Sequence, residues 1–511
     1  MELSAGSAGR FAGGIGEKPA RAGRARFARR HALALIVGLG LAIRLMLLVT
    51  PRSYFPDEIF QYLEPAHRLV FGKGVVPWEY RYGIRSWLVP LALSAPMRLG
   101  AWIAPDGGGY LIAAKLALVL LSLLAIVAAA AIGARMSRPH ACFAAFVVAI
   151  WSECALFATQ ALTETIAVSI FLAGAALLYE RRDTPVRLAA AGALLALAIV
   201  IRFQYGPAIG LFALLACGRD LRRWLWLSAG GIVVLVACGA VDLAMGQAPY
   251  GWIVENFRQN IVHGRSHMWT DGPFFYPIAI AASWSLWLLP IWYCARLATQ
   301  RYPALLACAL ANIAVHTLIA HKEYRYILLS TTIIVLLAAI GTVDAMDMLA
   351  ARRGIARARL LGLAALGWVV ASLTVTMLAY PARTWAMATP GLETFAYLRA
   401  QPKLCGVALT GTDWTDTGGY AYLHRDVPLY ISDSPLGGAA WIRANGAGFD
   451  TVIAPIAEAG RMPAPYALDR CFTAGGRFAA NTICVYRRPG PCDPATARRY
   501  EINTVLARVD R

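Results

Sequence analysis

The chain of 511 residues is 59% hydrophobic and only 15% charged, against the roughly 25% charged residues of an ordinary soluble domain. That balance excludes a soluble globular protein and makes a lipid bilayer the expected solvent. A net charge of +19 would suit a nucleic-acid partner in a soluble protein, but here Lys and Arg gather in short segments between apolar runs. This is the pattern of basic cytoplasmic loops, and nucleic acid is not an expected partner.

Residues 1–30 carry Arg10, Lys18, Arg21, Arg24, Arg26, Arg29 and Arg30 against Glu2 and Glu17, with abundant Gly and Ala. A disordered basic cytoplasmic tail is expected there. Apolar runs long enough to cross a bilayer, roughly 20 residues, begin with His31 to Thr50 and recur as far as Leu361 to Tyr380. The first continues into Pro51-Arg52-Ser53 without a small-residue cleavage site, so it reads as a retained span. Basic anchors at the N-terminal tail, 135–138, 181–187, 219–223, 296–301 and 352–359 should lie on one side, an even number of crossings apart. Every interval holds two apolar runs except the first, which holds three, at 31–50, 86–104 and 110–135. The middle one contains Pro90, Pro96 and Arg98 and reads as a re-entrant or surface-lying piece. About eleven spans within a transmembrane domain of residues 31–380 follow, N-terminus inside and C-terminus outside. The polar stretches 51–85, 159–164, 202–206, 247–273 and 321–325 then share the outer face with everything after Tyr380.

In the first outer loop, 51–85, the run Tyr54-Phe55-Pro56-Asp57-Glu58-Ile59-Phe60-Gln61-Tyr62-Leu63-Glu64-Pro65-Ala66-His67 opens a helix. Pro56 suits the first helical position, which places Asp57 and Glu58 in the first turn, where negative charge is favoured. Helical spacing puts Asp57, Gln61, Glu64 and Arg68 on one face and Ile59, Leu63, Ala66 and Val70 on the other. Such a helix would lie in the membrane interface and aim its carboxylates at a cavity; the plainer alternative is a solvated acidic face. Trp78, Glu79 and Tyr80, with Arg85 and Ser86, are either interfacial anchors or a platform for a sugar or phosphate. Charges at membrane depth, namely Arg44, Lys115, Glu153, Glu164, Arg202 and Asp242, are functional candidates by default. Glu164 and Arg202, at outer ends of spans, lead that set, and Lys115 is expected to snorkel to the interface. In His321-Lys322-Glu323-Tyr324-Arg325, Arg325 as a fork and Lys322 as a point charge would bind a phosphate, unless the cluster only marks a helix end.

Beyond Tyr380 the pattern changes to alternating helix and strand, with strands expected at 406–410, 427–431, 451–455 and in a hairpin ending at 482–487. A small α/β domain over 381–511, on the non-cytoplasmic side, is expected. Of ten cysteines, Cys142, Cys154, Cys217, Cys238, Cys294 and Cys308 lie in apolar runs as small hydrophobes. Cys405, Cys471, Cys484 and Cys492 lie in the tail, where an oxidising compartment would allow one or two disulfides whose pairing spacing does not reveal.

Phe55-Pro56-Asp57-Glu58 with Glu64 and His67, then Trp78-Glu79 and Arg85-Ser86, then His321-Lys322-Glu323-Tyr324-Arg325 resemble, in order and rough spacing, the mannosyltransferases of glycosyltransferase family 22. That family includes the GPI mannosyltransferases and the dolichol-phosphate-mannose-dependent enzymes of N-glycan assembly. The resemblance runs from 31 to about 345, with Asp242, Tyr250-Gly251-Trp252, Asn256-Phe257 and Asn260 fitting a middle loop. It departs at Phe55, where the family has His, and at Val76-Pro77 before Trp78, where Thr is usual. It implies a polytopic α-helical GT-C glycosyltransferase fold and an inverting, metal-independent and cofactor-free transfer of a sugar, mannose foremost. The donor would be a polyprenyl-phosphate sugar and the acceptor a glycan or glycolipid. It further implies Asp57 as the general base with Glu58 beside it, and His321, Lys322 and Arg325 around the donor phosphate. Glu64, His67, Trp78, Glu79, Arg85, Glu164, Arg202 and Glu323 complete the expected substrate-binding set. The rival readings are transfer of another lipid-phosphate-linked sugar, such as aminoarabinose to lipid A, and a lipid-linked sugar flippase or transporter. The transporter would show internal repeats, and the sequence has none. The Ala, Gly and Arg bias, with Arg favoured over Lys, suggests a bacterium of high genomic GC content, hence an inner membrane with a periplasmic active site.

Overall fold

A computed structural model of the protein describes residues 18–49, 55–105, 107–180, 182–266, 271–378, 389–432, 438–474 and 481–509. The expected basic tail lies outside these residues as far as Glu17. From Lys18 the chain is already helical, in α1 (Lys18–Leu48), because an Ala- and Arg-rich stretch has high helix propensity and prolongs the helix nucleated by the apolar run behind it.

The chain is a multi-pass membrane protein. After α1 come α2 (Glu64–Phe71) and α3 (Trp78–Arg81) in the first loop, then α4 (Leu88–Ile103), α5 (Gly109–Ala134) and α6 (Arg138–Ile150). They are followed by α7 (Ser152–Phe157), α8 (Thr163–Leu178), α9 (Pro185–Ile201), α10 (Gly206–Cys217) and α11 (Leu221–Ala244). The short α12 (Gly251–Phe257) leads to α13 (Phe275–Trp284), α14 (Leu288–Thr299), α15 (Pro303–Thr317), α16 (Leu328–Arg353) and α17 (Arg357–Leu378). Six helical stretches among the described residues are long and apolar enough to cross a bilayer, and further apolar helices of 10–17 residues stand among them. Each of the eleven expected spans falls on one of these helices, α13 and α14 forming a single stretch. The middle run of the first interval is α4, whose 16 residues reach only about 24 Å. The centre of the bundle is α16, buried along its whole first half from Leu328 to Val343, as a helix apolar on every side must be.

Past the bundle, a helix over Thr389–Arg399 leads into a five-stranded sheet of order β2-β1-β3-β5-β4. The strands are β1 (Val407–Leu409), β2 (Leu429–Ile431), β3 (Thr451–Pro455), β4 (Ala467–Phe472) and β5 (Ile483–Arg487). The first three run parallel, and the β4–β5 hairpin adds antiparallel to β3. All four tail cysteines are used, in Cys405–Cys492 and Cys471–Cys484. The second bridge joins directly opposed residues of β4 and β5. The six bundle cysteines are free.

The polar stretches meet at one end of the bundle. Glu58 reaches the Ala161 amide, Gln247 reaches the carbonyl of Arg85, and Lys322 meets Asp271. The basic segments gather elsewhere, where Arg223 pairs with Asp183 at 3.0 Å and Arg301 with Asp344 at 2.8 Å.

Candidate active site

Pro56 and Asp57 open the first-loop helix as the sequence requires, and the backbone then widens into a π-turn over Glu58–Leu63 before resuming α-helical pitch in α2. A π-turn takes up an extra residue and rotates everything after it, so the expected row of Asp57, Gln61, Glu64 and Arg68 does not form. Every residue from Glu58 to His67 is buried. The helix is therefore not the interfacial, two-faced element expected; it lies sandwiched between the bundle and the tail domain.

The three carboxylates diverge. Asp57 keeps 29% of its side chain exposed and pairs with Arg325. Glu58, expected beside it, points the other way, is fully buried and pairs with Lys115 at 2.8 Å. Lys115 consequently does not snorkel: a carboxylate with no access to water needs a cation, and Lys115 also bonds Tyr422 of the tail. Glu64 accepts the Val75 amide at 2.5 Å and the tail's Ala421 amide. His67 bonds the Lys73 carbonyl at 2.7 Å and tail residue His424 at 2.9 Å. Glu64 and His67 thus fasten the helix to the tail. Burial pushes the Glu64 carboxyl up to about 8 against the pull of those amides, and burial depresses the His67 imidazole to about 4.

Arg325 is the hub. Its Nε and Nη2 donate to the two oxygens of Glu323 at 2.8 Å each, and Nη2 also donates to Asp57. Glu164 stands 3.8 Å from its Nε. The fork expected to grip a phosphate is filled by the carboxylate two residues before it. Burial opposes the Glu323 charge, but Arg325 and His321 outweigh it and hold the carboxyl below its usual range; His321 Nε2 lies 3.1 Å from Glu323. The Lys322 ammonium is likewise occupied, by the carbonyls of Ile319, Asp271 and Ala320 at 2.7, 3.0 and 3.3 Å. Phe55, where the family pattern has His, lies under the Arg325 guanidinium at 4.8 Å and against Phe157.

Around this hub, Glu164 pairs with Arg202 at 3.2 Å, and Arg202 covers the Tyr326 ring at 4.7 Å. Glu79 accepts the Gln61 amide at 2.8 Å; burial pushes it up to about 7 although Arg85 pulls it down. Arg85 makes no ion pair among the described residues, and with Arg202 it lines a cleft shared by Tyr62, Ser86, Thr163 and Trp252. Trp78 stands apart, edge-on to Tyr82 and meeting Arg265 at 5.2 Å. The remaining intramembrane charges hold structure. Arg44 ties α1 to Ser122 and to the Ala149 carbonyl at 2.9 and 3.0 Å. Glu153 receives the indole N–H of Trp284 at 2.9 Å and the Tyr324 hydroxyl, and Asp242 receives the Tyr250 amide at 2.9 Å and the Trp252 indole N–H at 3.2 Å.

The family model described as "Alg9-like mannosyltransferase family" matches residues 35–424. It extends past the motifs that carried the resemblance and ends at His424, which touches His67 and Phe71 of the first-loop helix. The chain is similar to GPI mannosyltransferase 3 of Yarrowia lipolytica, 25% identical over 78% of this chain and 76% of that protein. To GPI mannosyltransferase 3 of Trypanosoma brucei brucei it is 40% identical over 14% of each chain. In fold it is similar to ArnT of Cupriavidus metallidurans bound to undecaprenyl phosphate, with a TM-score of 0.60 at 12% identity over 90% of this chain and 99% of that one. A second fold neighbour is the Archaeoglobus fulgidus oligosaccharyltransferase, with a TM-score of 0.51 at 11% identity over 84% of this chain and 69% of that one. The fold is that of a GT-C glycosyltransferase. With a family match over most of its length, the chain belongs to the Alg9-like mannosyltransferases.

Proposed function

We propose that the enzyme moves a mannosyl group from a polyprenyl-phosphate carrier to a hydroxyl of a glycan or glycolipid, with inversion, at the non-cytoplasmic face. In a bacterium that face is the periplasm. The observation that carries the reading is the sorting of carboxylates on the catalytic helix. Asp57 alone reaches solvent, while Glu58 and Glu64 are sealed off by Lys115 and by backbone amides. Arg325, itself fixed by Glu323, holds Asp57 in place. As the acceptor oxygen bonds to the anomeric carbon, Asp57 takes up its proton. The bond from that carbon to the phosphate oxygen breaks, and its electron pair leaves with the polyprenyl phosphate. The two tail disulfides support an oxidising compartment for this end of the molecule. A neighbour seen with undecaprenyl phosphate supports the carrier class, and relatives named for mannose transfer favour mannose over aminoarabinose.

Asp57→Asn keeps the shape and removes the base. Turnover should fall by about 10²- to 10⁴-fold, with the melting temperature of the purified protein nearly unchanged. A loss under tenfold would take the base role away from Asp57.

A further inference from the structure

Two arginines at the outer end of the bundle are not consumed by carboxylates as Arg325 is. Arg85, just before α4, makes no ion pair among the described residues, and its Nε is buried without a hydrogen-bond partner. Arg202, at the end of α9, is 6% exposed; it shares one carboxylate, Glu164, and its Nε is likewise buried and unpartnered. A buried guanidinium N–H without an acceptor costs on the order of 1–3 kcal/mol, a cost that an anionic ligand would remove. Both side chains line one cleft. Hydroxyls of Tyr62, Ser86 and Thr163 border it on the polar side, and Leu88, Val89, Val200, Ile201, Phe203 and Trp252 form an apolar wall. Two guanidinium groups, each with a buried and unpartnered Nε, beside an apolar wall match a ligand with an anionic head on a hydrocarbon chain. Arg85 also feels the charges of Asp57 and Glu79, so the cleft adjoins the Asp57 carboxylate.

We infer that the phosphate of the isoprenoid donor is bound by Arg85 and Arg202 in this cleft, with the first isoprene unit on the apolar wall. Arg325 and Lys322 position Asp57 and the 321–326 loop instead of touching the phosphate. The inference rests on the donor class proposed above.

The test is binding of farnesyl phosphate to the purified full-length chain in detergent, alongside farnesol and inorganic phosphate. Wild type should bind farnesyl phosphate at least tenfold more tightly than either fragment. Arg85→Gln and Arg202→Gln should each weaken it about tenfold or more, the worth of a charge-assisted hydrogen bond. Arg85→Lys, which keeps the charge and loses the fork, should fall in between. Lys322→Gln and Asp57→Asn should bind within about twofold of wild type. Melting temperatures near wild type establish that each variant folds, and should Arg202→Gln unfold, Arg85→Gln decides alone. Undiminished binding by folded Arg85→Gln, or a loss confined to Lys322→Gln, overturns the assignment. Equal affinity for inorganic phosphate overturns the isoprenoid part. Asp57→Asn that still transfers sugar while Arg85→Gln no longer binds would leave this site standing and remove the base assignment. Absence of farnesyl phosphate binding in wild type would sink both.

Discussion

Burial pushes Glu64 up to about 8 and depresses His67 to about 4, and the two residues stand three apart on the helix that carries Asp57. For Glu64 the folded state holds a proton that the unfolded chain, near the usual 4.5, releases. Its contribution is complete below about pH 4.5 and is lost as pH rises through about 8. For His67 the folded state excludes a proton that the unfolded chain accepts below about 6.5, so its contribution is complete above that and lost as pH falls towards 4. Between about pH 4.5 and 6.5 the two slopes offset each other, so thermal stability should be nearly level there, falling on the alkaline side as pH rises to about 8 and on the acid side as pH falls towards 4. In Glu64→Gln the alkaline fall should shrink, leaving the weaker slope of Glu79 through about 7, while the acid fall remains. Melting temperatures of wild type and variant across pH 4–9 check this. Parallel curves would mean that Glu64 is not ionising at the junction with the tail.

At the scale of elements, hydropathy and the placing of basic segments were enough to locate the apolar helices, because periodicity and charge are properties of each segment taken alone. Pro56 and the acidic first turn marked the start of the first-loop helix for the same reason. The π-turn over Glu58–Leu63 was not legible: it lies packed against α4 and the tail, and it undid the expected face of carboxylates. Nor could spacing show that the Ala421 amide caps a carboxylate 357 residues before it, or that Lys115 turns inward to a buried glutamate. The family motifs located Arg325, but only the structure shows its fork closed by Glu323. Two arginines named separately by the sequence, Arg85 and Arg202, prove to share one cleft. The tail cysteines could be nominated for disulfides from composition, whereas the pairing of Cys471 with Cys484 depended on the register of β4 and β5.

For the whole molecule, the first loop, the start of α5 and the tail domain form one packed unit: Tyr110 donates to the Ala421 carbonyl at 2.6 Å, and the Val76 amide donates to Asn503 at 2.7 Å. The two must therefore lie on the same side of the membrane, which the proposal makes the non-cytoplasmic one. Single cysteines introduced at exposed Lys73 and exposed Leu468 should both react with a membrane-impermeant thiol reagent from outside, and protection of both would reverse the topology. By the proposed function, mannose comes from a lipid phosphate and is inverted on transfer. Purified enzyme given radiolabelled polyprenyl-phosphate β-mannose and a panel of glycolipid acceptors should yield an α-mannoside and free polyprenyl phosphate. With GDP-mannose as the only donor it should yield none. Label transferred equally well from GDP-mannose, or a β-mannoside product, would contradict the account.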